Sequence, residues 1–220
     1  MDASLDTNVI IHLYTANLQS ILFSRFNKLI VYEFIRNQEL ERHANAPVIA
    51  AFDQDVATGK IELVTDDSLR SIGMHNIFQN HVRELRRLFD GSDLGEVYAI
   101  ALAKTLGCVS LVTDDIKERG PHYTLMRMQD SDVIPFAFYE LLFLDYLEGK
   151  LTEQAVLDNF NAINELSQLN MGCSSKLKSF IRRFWHDPYT AREKAWITSF
   201  CTQNGISARN KLRALSTFLS

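Results

Sequence analysis

At 220 residues, 46% of them hydrophobic and 23% charged, the chain is long enough for one sizeable α/β domain with an appendage or for two small domains, and its composition excludes a disordered or fibrous protein. The net charge of −4 hides a split, because residues 1–172 hold 14 Lys and Arg against 25 Asp and Glu while residues 173–220 hold nine against two. An acidic body therefore carries a basic tail-piece. The start, MDASLDTNVIIHLY, places Asp2 and Asp6 before any basic residue, so it lacks the positive flank expected of a secretory signal. The most apolar run, VIPFAFYELLFLDYL, contains Glu140 and Asp145 and is too short and too charged to span a bilayer. Cys108, Cys173 and Cys201 form neither a metal spacing nor a disulfide framework, so the expected setting is reducing and cytoplasmic, with no membrane partner.

In chain order, a first strand begins at Ala3 and ends near Asp6, before a helix over about 12–26. KLIVY, residues 28–32, reads as a short buried strand, and residues 34–43 as a helix with Glu39 and Leu40 in its middle turns. Pro47 suits the first turn of a helix running to Asp55. A strand over 61–64 and a long helix over 66–89 follow. Residues 93–106 have helix chemistry: acids at the start, Ala99, Ala101 and Ala103 for close packing on a sheet, and Gly107 as a stop. CVSLV, residues 108–112, fits a buried strand that runs into Thr113, Asp114 and Asp115. Residues 117–120 form a helical turn at most, and alternation over 123–128 predicts a last strand. Beyond that point the pattern is helical, with Asp132 and Thr152 as caps of helices reaching Leu147 and about Leu166. Strands separated by helices predict a parallel sheet covered on both faces, a three-layer α/β/α sandwich over residues 1–130, with an all-helical extension over 131–220 that is basic from about 173.

The acids recur where elements meet one edge of that sheet: Asp6, the helix after the second strand, Asp93 with Glu96, and Asp114 with Asp115. In such sheets the carboxyl edge is where ligands bind. Two carboxylates ~5 Å apart repel by about 3 kcal/mol at an effective dielectric near 20, so a cluster of them calls for a cation. Oxygen donors without histidine or cysteine at ligand spacing favour Mg²⁺ or Mn²⁺ over zinc, and such ions support phosphodiester hydrolysis. Taken singly, each acid also has a plainer reading: a turn at Asp6, a reciprocal helix cap at Asp93 with Glu96, and turn residues at 114 and 115. Their joint order is what favours a site.

The pattern SLDTNVII, a helical glutamate, D-x-x-G-E opening a helix, and then LVTDD resembles the PIN-domain nucleases over roughly residues 1–130. The resemblance implies an α/β/α sandwich whose acids bind Mg²⁺ or Mn²⁺, and cleavage of single-stranded or structured RNA, often by the toxin of a toxin and antitoxin pair. It makes Asp6, Glu39, Glu96 and Asp115 the catalytic acids, with Glu33 and Glu41 as weaker alternatives to Glu39. The metal set it implies is Asp6, Glu96, Asp93, Asp114 and Asp115, the register between 114 and 115 being open, and Thr7, Asn8 and Thr113 are the polar companions. An antitoxin or a second copy of the chain is the implied protein partner. The helices after residue 130 have no counterpart in the compact toxins, and weaken that label more than the nuclease label. A binding module that has lost turnover is the alternative. A haloacid-dehalogenase-type phosphohydrolase would need an aspartate where Asn8 stands.

The basic C-terminal part offers a nucleic-acid surface in Lys176, Lys178, Arg182 and Arg183. The aromatics beside them, Phe180, Phe184, Trp185, Trp196 and Phe200, have the helical spacing of a core.

Overall fold

The computed structural model describes residues 1–88, 94–128, 131–186 and 190–220, and the chain divides into two compact units, Met1–Ala137 and Phe138–Ser220. The first unit is α/β. Its five strands, β1 (Asp2–Leu5), β2 (Lys28–Tyr32), β3 (Glu62–Val64), β4 (Ser110–Val112) and β5 (Ile134–Phe136), form one all-parallel sheet in the order β3-β2-β1-β4-β5. Between them run α1 (Thr7–Thr15), α2 (Ser20–Arg25), a π-helical turn (Ile35–Leu40), α3 (Glu41–His43), α4 (Ala46–Ala57), α5 (Asp66–Ser71), α6 (His75–Leu85), α7 (Leu94–Leu106) and α8 (Pro121–Arg127).

The central strands are covered on both faces, which is why Ala3, Ser4 and Leu5 are all buried regardless of the side to which each points. Helix α7 packs on β1, β2 and β4. Its small residues permit that approach: Ala99, Ala101 and Ala103 are buried together with Ile100 and Leu102, and Gly107, at φ +69°, ends the helix in the left-handed region.

Several elements differ from expectation for local reasons. The long helix expected over 66–89 is two helices, because Gly73 turns the chain at φ +73° between α5 and α6. The helix expected over 12–26 is likewise split, with Asn17 at φ 55°, a region asparagine tolerates. The strand expected over 123–128 is instead helix α8: Pro121 opens it, and Pro121, His122, Leu125 and Met126 make one buried helical face. The fifth strand lies later, at Ile134–Phe136, despite Pro135. Thr113 N donates to Phe136 O and Ile134 N donates to Val109 O, so those two residues face β4 and Pro135 points its missing donor outward from the edge.

The second unit is helical: α9 (Phe138–Glu148), α10 (Glu153–Leu166), α11 (Cys173–Ile181), a π-helical turn (Arg182–His186), α12 (Ala191–Gln203) and α13 (Ala208–Phe218). Every residue of α9 from Phe138 to Leu147 is buried, the pattern of a helix enclosed on all sides, and α10, α11 and α13 pack against it. Thr152 caps α10 by accepting from Ala155 N. Among the described residues, no helix is long and apolar enough to cross a membrane.

Candidate functional site

The strand order fixes where a crevice forms. From β1 the chain winds outward through β2 and β3, then returns to the other side of β1 with β4, so the connections leaving β1 and β4 diverge at their carboxyl ends. The register pairs Leu5 with Val112, and Asp6 N donates to Val112 O at 3.0 Å, which sets Asp6 beside Thr113 at that switch point. Asp6 is 2% exposed. Its Oδ1 accepts from Thr7 N at 2.7 Å and its Oδ2 from Thr113 Oγ1 at 2.8 Å. Asp6 is thus the N-cap of α1, as the turn reading has it.

The second acid, Glu39, comes up to the first turn of α1. A Cβ on Gly95 would lie 3.3 Å from Thr7 Oγ1, 3.3 Å from Glu39 Cγ and 3.6 Å from Glu39 Cδ, so the first turns of α1 and α7 and the π-helical turn carrying Glu39 meet there. A side chain there would have to push Glu39 or Thr7 back by a few tenths of an ångström. Glu96, the next residue, is 4% exposed. Glu39 is half-buried, with His43 Nε2 at 3.7 Å from Oε2. The two alternatives to Glu39 are engaged elsewhere: Glu33 Oε1 accepts from Asp66 N at 2.7 Å, and the exposed Glu41 pairs with Arg36 Nη1 at 2.6 Å. Single π-helical turns inside helices are often found at functional sites. Thr7 Oγ1 is buried with no hydrogen-bond partner, while Asn8 lies half-buried one residue further into α1. Asp93 lies outside the described residues, as do Phe89 and Gly91.

The two aspartates after β4 part company. Asp114 turns toward α1, its Oδ2 lying 2.7 Å from His12 Nδ1. Asp115 turns into its own loop: its Oδ1 accepts from Lys117 N at 3.1 Å, Lys117 Nζ stands 3.3 Å from Oδ2, and a Cβ on Gly120 would fall 2.6 Å from Oδ1. The Thr113 hydroxyl joins the two halves, since it donates to Asp6 and accepts from Asp115 N at 3.2 Å. Among the described residues no group of three or more His, Cys, Asp and Glu side chains is arranged as it stands to hold a metal ion. Compared with protein-family models, curated proteins and solved structures, the chain has no match.

Sequence reasoning missed His12. A search for ligand spacing along the chain cannot find it, because its partner is 102 residues away. The one available signal is that His12 follows Asp6 on the helix which that aspartate caps.

The basic residues of the second unit need a correction. Arg183 is 3% exposed and cannot serve as part of a nucleic-acid surface: its Nη1 donates to both oxygens of Glu140 at 2.9 Å, and its Nη2 donates to Glu193 Oε1. Burial works against the guanidinium charge, but Glu140 and Glu193 reverse that and hold its pKa above the usual range. Lys176 is half-buried with Nζ over the Tyr139 ring, and burial lowers its pKa against the opposing pull of Glu140. Lys178 and Arg182 are exposed. Of the aromatics, Phe180, Phe184 and Phe200 are buried core as their spacing predicts, whereas Trp185 and Trp196 are half-buried; Phe184 contacts Trp196, which stacks on Phe200.

Proposed function

We propose that the unit 1–137 is a PIN-like, three-layer α/β/α ribonuclease domain that hydrolyses RNA phosphodiester bonds with Mg²⁺ or Mn²⁺ at the carboxyl edge of β1 and β4. The observation that carries this reading is the convergence of Asp6, Thr7, Glu39, Gly95 and Thr113, far apart in sequence, on the switch point of a parallel sheet. The donors fit a hard cation. Asp6, Glu96 and Asp114 are buried carboxylates, Glu39 lies against Gly95 beside Thr7, and the Thr7 hydroxyl is a buried polar atom whose missing partner an ion or its water would supply. When bound, such an ion lowers the pKa of water and offsets charge on the phosphate oxygens.

The chain's own residues do the positioning. Thr113 and the Thr7 amide fix both oxygens of Asp6, and His12 fixes Asp114. Asp115 braces the loop that follows rather than turning to the edge, so Asp6, Glu39, Glu96 and Asp114 are the acids we assign to the ion. An RNA strand is the proposed substrate, with an antitoxin or a second copy of the chain as the protein partner of this reading.

The loop-bound Asp115 and the lack of a ready-made ligand set among the described residues favour a second reading, a module of the same fold that binds RNA or protein without turnover. A cleavage assay on a panel of RNAs with Mn²⁺ or Mg²⁺, parent against Asp6→Asn, separates the two. Changes even in the outer shell of metal sites cost roughly 10–100-fold, so the loss of a proposed ligand is expected to cost at least that. Cleavage that survives the substitution, or persists in chelator, sinks the nuclease reading, whereas inactivity of both chains leaves the binding module.

A further inference from the structure

The second unit contains a cavity of about 530 Å³ between α13 and the π-helical turn that follows α11. That size lies within the range of roughly 300–1,000 Å³ typical of small-molecule sites. Helix α13 lends it Arg209, Arg213, Ser216 and Thr217, which at i, i+4, i+7 and i+8 share one helical face, and the π-helical turn lends it Trp185 and His186. Among the described residues, no acidic one lines it.

Arg209 and Arg213 are exposed, and neither forms an ion pair among the described residues. Two like charges four residues apart on a helix cost a few tenths of a kcal/mol rather than stabilise it. Other arginines of the chain are placed differently: Arg36, Arg70 and Arg183 each face a carboxylate. Trp185 is half-buried and held edge-on by Phe180 and Phe184, with ring centroids at 5.7 and 6.1 Å, so its indole is a fixed platform. The apolar lining comes from Ile181 and Leu212. A planar ring beside two uncompensated guanidinium groups, an imidazole and two hydroxyls is complementary to a heterocycle carrying phosphate.

We propose that this cavity binds a nucleotide, with the base against Trp185 and the phosphate between Arg209 and Arg213. The nucleotide is either free or one unit of a single strand. The proposal does not rest on the hydrolytic reading of the first unit, and its test is run in chelator so that the two fail separately.

The probes are AMP and a short 5′-phosphorylated oligoadenylate, titrated into the full chain and followed by calorimetry. At least one is expected to saturate, and Arg209→Glu combined with Arg213→Glu to weaken it about tenfold or more. Trp185→Leu is expected to weaken it by roughly 5–100-fold, with Trp185→Phe restoring part of the loss. The exposed Lys194, off the cavity, is the control: Lys194→Glu is expected to leave affinity within about twofold of the parent. Equal affinity for the two probes identifies a free nucleotide, and an oligonucleotide that binds much more tightly and is displaced by AMP identifies a strand. Circular dichroism of the arginine variants checks folding, which substitution of exposed side chains leaves intact. Binding of neither probe below about 1 mM, double-reversal affinity equal to the parent, or an equal loss from Lys194→Glu each overturns the proposal.

Discussion

In the unit 138–220, Glu140 and Glu193 are buried on either side of Arg183, whose guanidinium donates to both. In the unit 1–137, Asp6, Glu96, Asp114 and Asp115 are buried at one sheet edge, and among that unit's described residues no arginine or lysine is buried with them. Burying a carboxylate is costly in either place, and the difference lies in where the compensating charge comes from. The helical unit carries its cation in its own sequence, which is what a structural cluster needs. At the sheet edge the compensation is a histidine on Asp114, hydroxyl and amide donors on Asp6, and the exposed Lys117 on Asp115. A buried guanidinium makes the helical cluster self-sufficient, whereas at the sheet edge no described lysine or arginine is buried to play that part.

The largest expected effect comes from removing the internal cation. Arg183→Met leaves Glu140 and Glu193 buried without it, and breaking a buried pair of this kind costs about 3–5 kcal/mol. Urea unfolding followed by circular dichroism should report that loss. The triple change Arg183→Met, Glu140→Leu, Glu193→Leu should recover most of it, because removing every charge together leaves nothing unpaired. A triple variant no more stable than the single one would mean that packing, not charge, sets the cost.

At the sheet edge the same logic predicts the opposite sign. Mn²⁺ should stabilise the parent by mass action, by about 2.7 kcal/mol at a hundredfold excess over its dissociation constant. Asp6→Asn keeps a side-chain oxygen to cap α1 but removes a charge from the edge, so it should fold with near-parental stability and lose the Mn²⁺ effect. Thermal unfolding midpoints with and without MnCl₂ measure both. Equal shifts in the two proteins would place the ion elsewhere.

How far these features could be read from the sequence depended on whether their causes were local. KLIVY is a strand from Lys28 to Tyr32 as expected, because a continuous apolar run needs no distant partner to be recognised. The order of Asp6, Glu39 and Glu96 along the chain was legible, and Asp6 is held as the cap that a plain turn reading also gives. The strand expected at 123–128 failed because six alternating residues also fit a helix, and Pro121 decides between them. Arg183 was misread for a geometric reason. It lies three residues after the buried Phe180 and beside the buried Phe184, on the inward face, and the acids that hold it are 43 residues before it and 10 after, which no local pattern reveals. The choice between Asp114 and Asp115 rested on contacts with His12, Lys117 and Gly120, none of which spacing reveals.

The loop that separates those two aspartates gives a smaller effect. A Cβ on Gly120 would meet Asp115 Oδ1 at 2.6 Å and Asp115 O at 2.8 Å, and the second of these is backbone that cannot swing away. Gly120→Ala should therefore cost about 1–3 kcal/mol through overpacking. If Asp115 only braces the loop, Asp115→Asn should lower stability while sparing the Mn²⁺ shift that Asp6→Asn removes. Loss of that shift in Asp115→Asn would return this residue to the metal set.

The smallest effect tests the helical unit at the margin of its charge balance. Burial lowers the Lys176 pKa from its usual value of 10.5, and Glu140 only partly opposes this. A lysine depressed in the folded state is penalised while protonated, so the penalty is complete below the folded pKa. It fades as pH rises through that value toward 10.5, where the unfolded chain still binds the proton and stability increases with pH. Lys176→Met removes the penalty and should raise stability at pH 7 by about 0.5 kcal/mol, a small figure because water still reaches the half-buried ammonium. The gap between variant and parent should then narrow as pH approaches 10, measured by urea unfolding at each pH. A gap that stays constant would assign the effect to packing of the longer side chain over Tyr139 rather than to its charge.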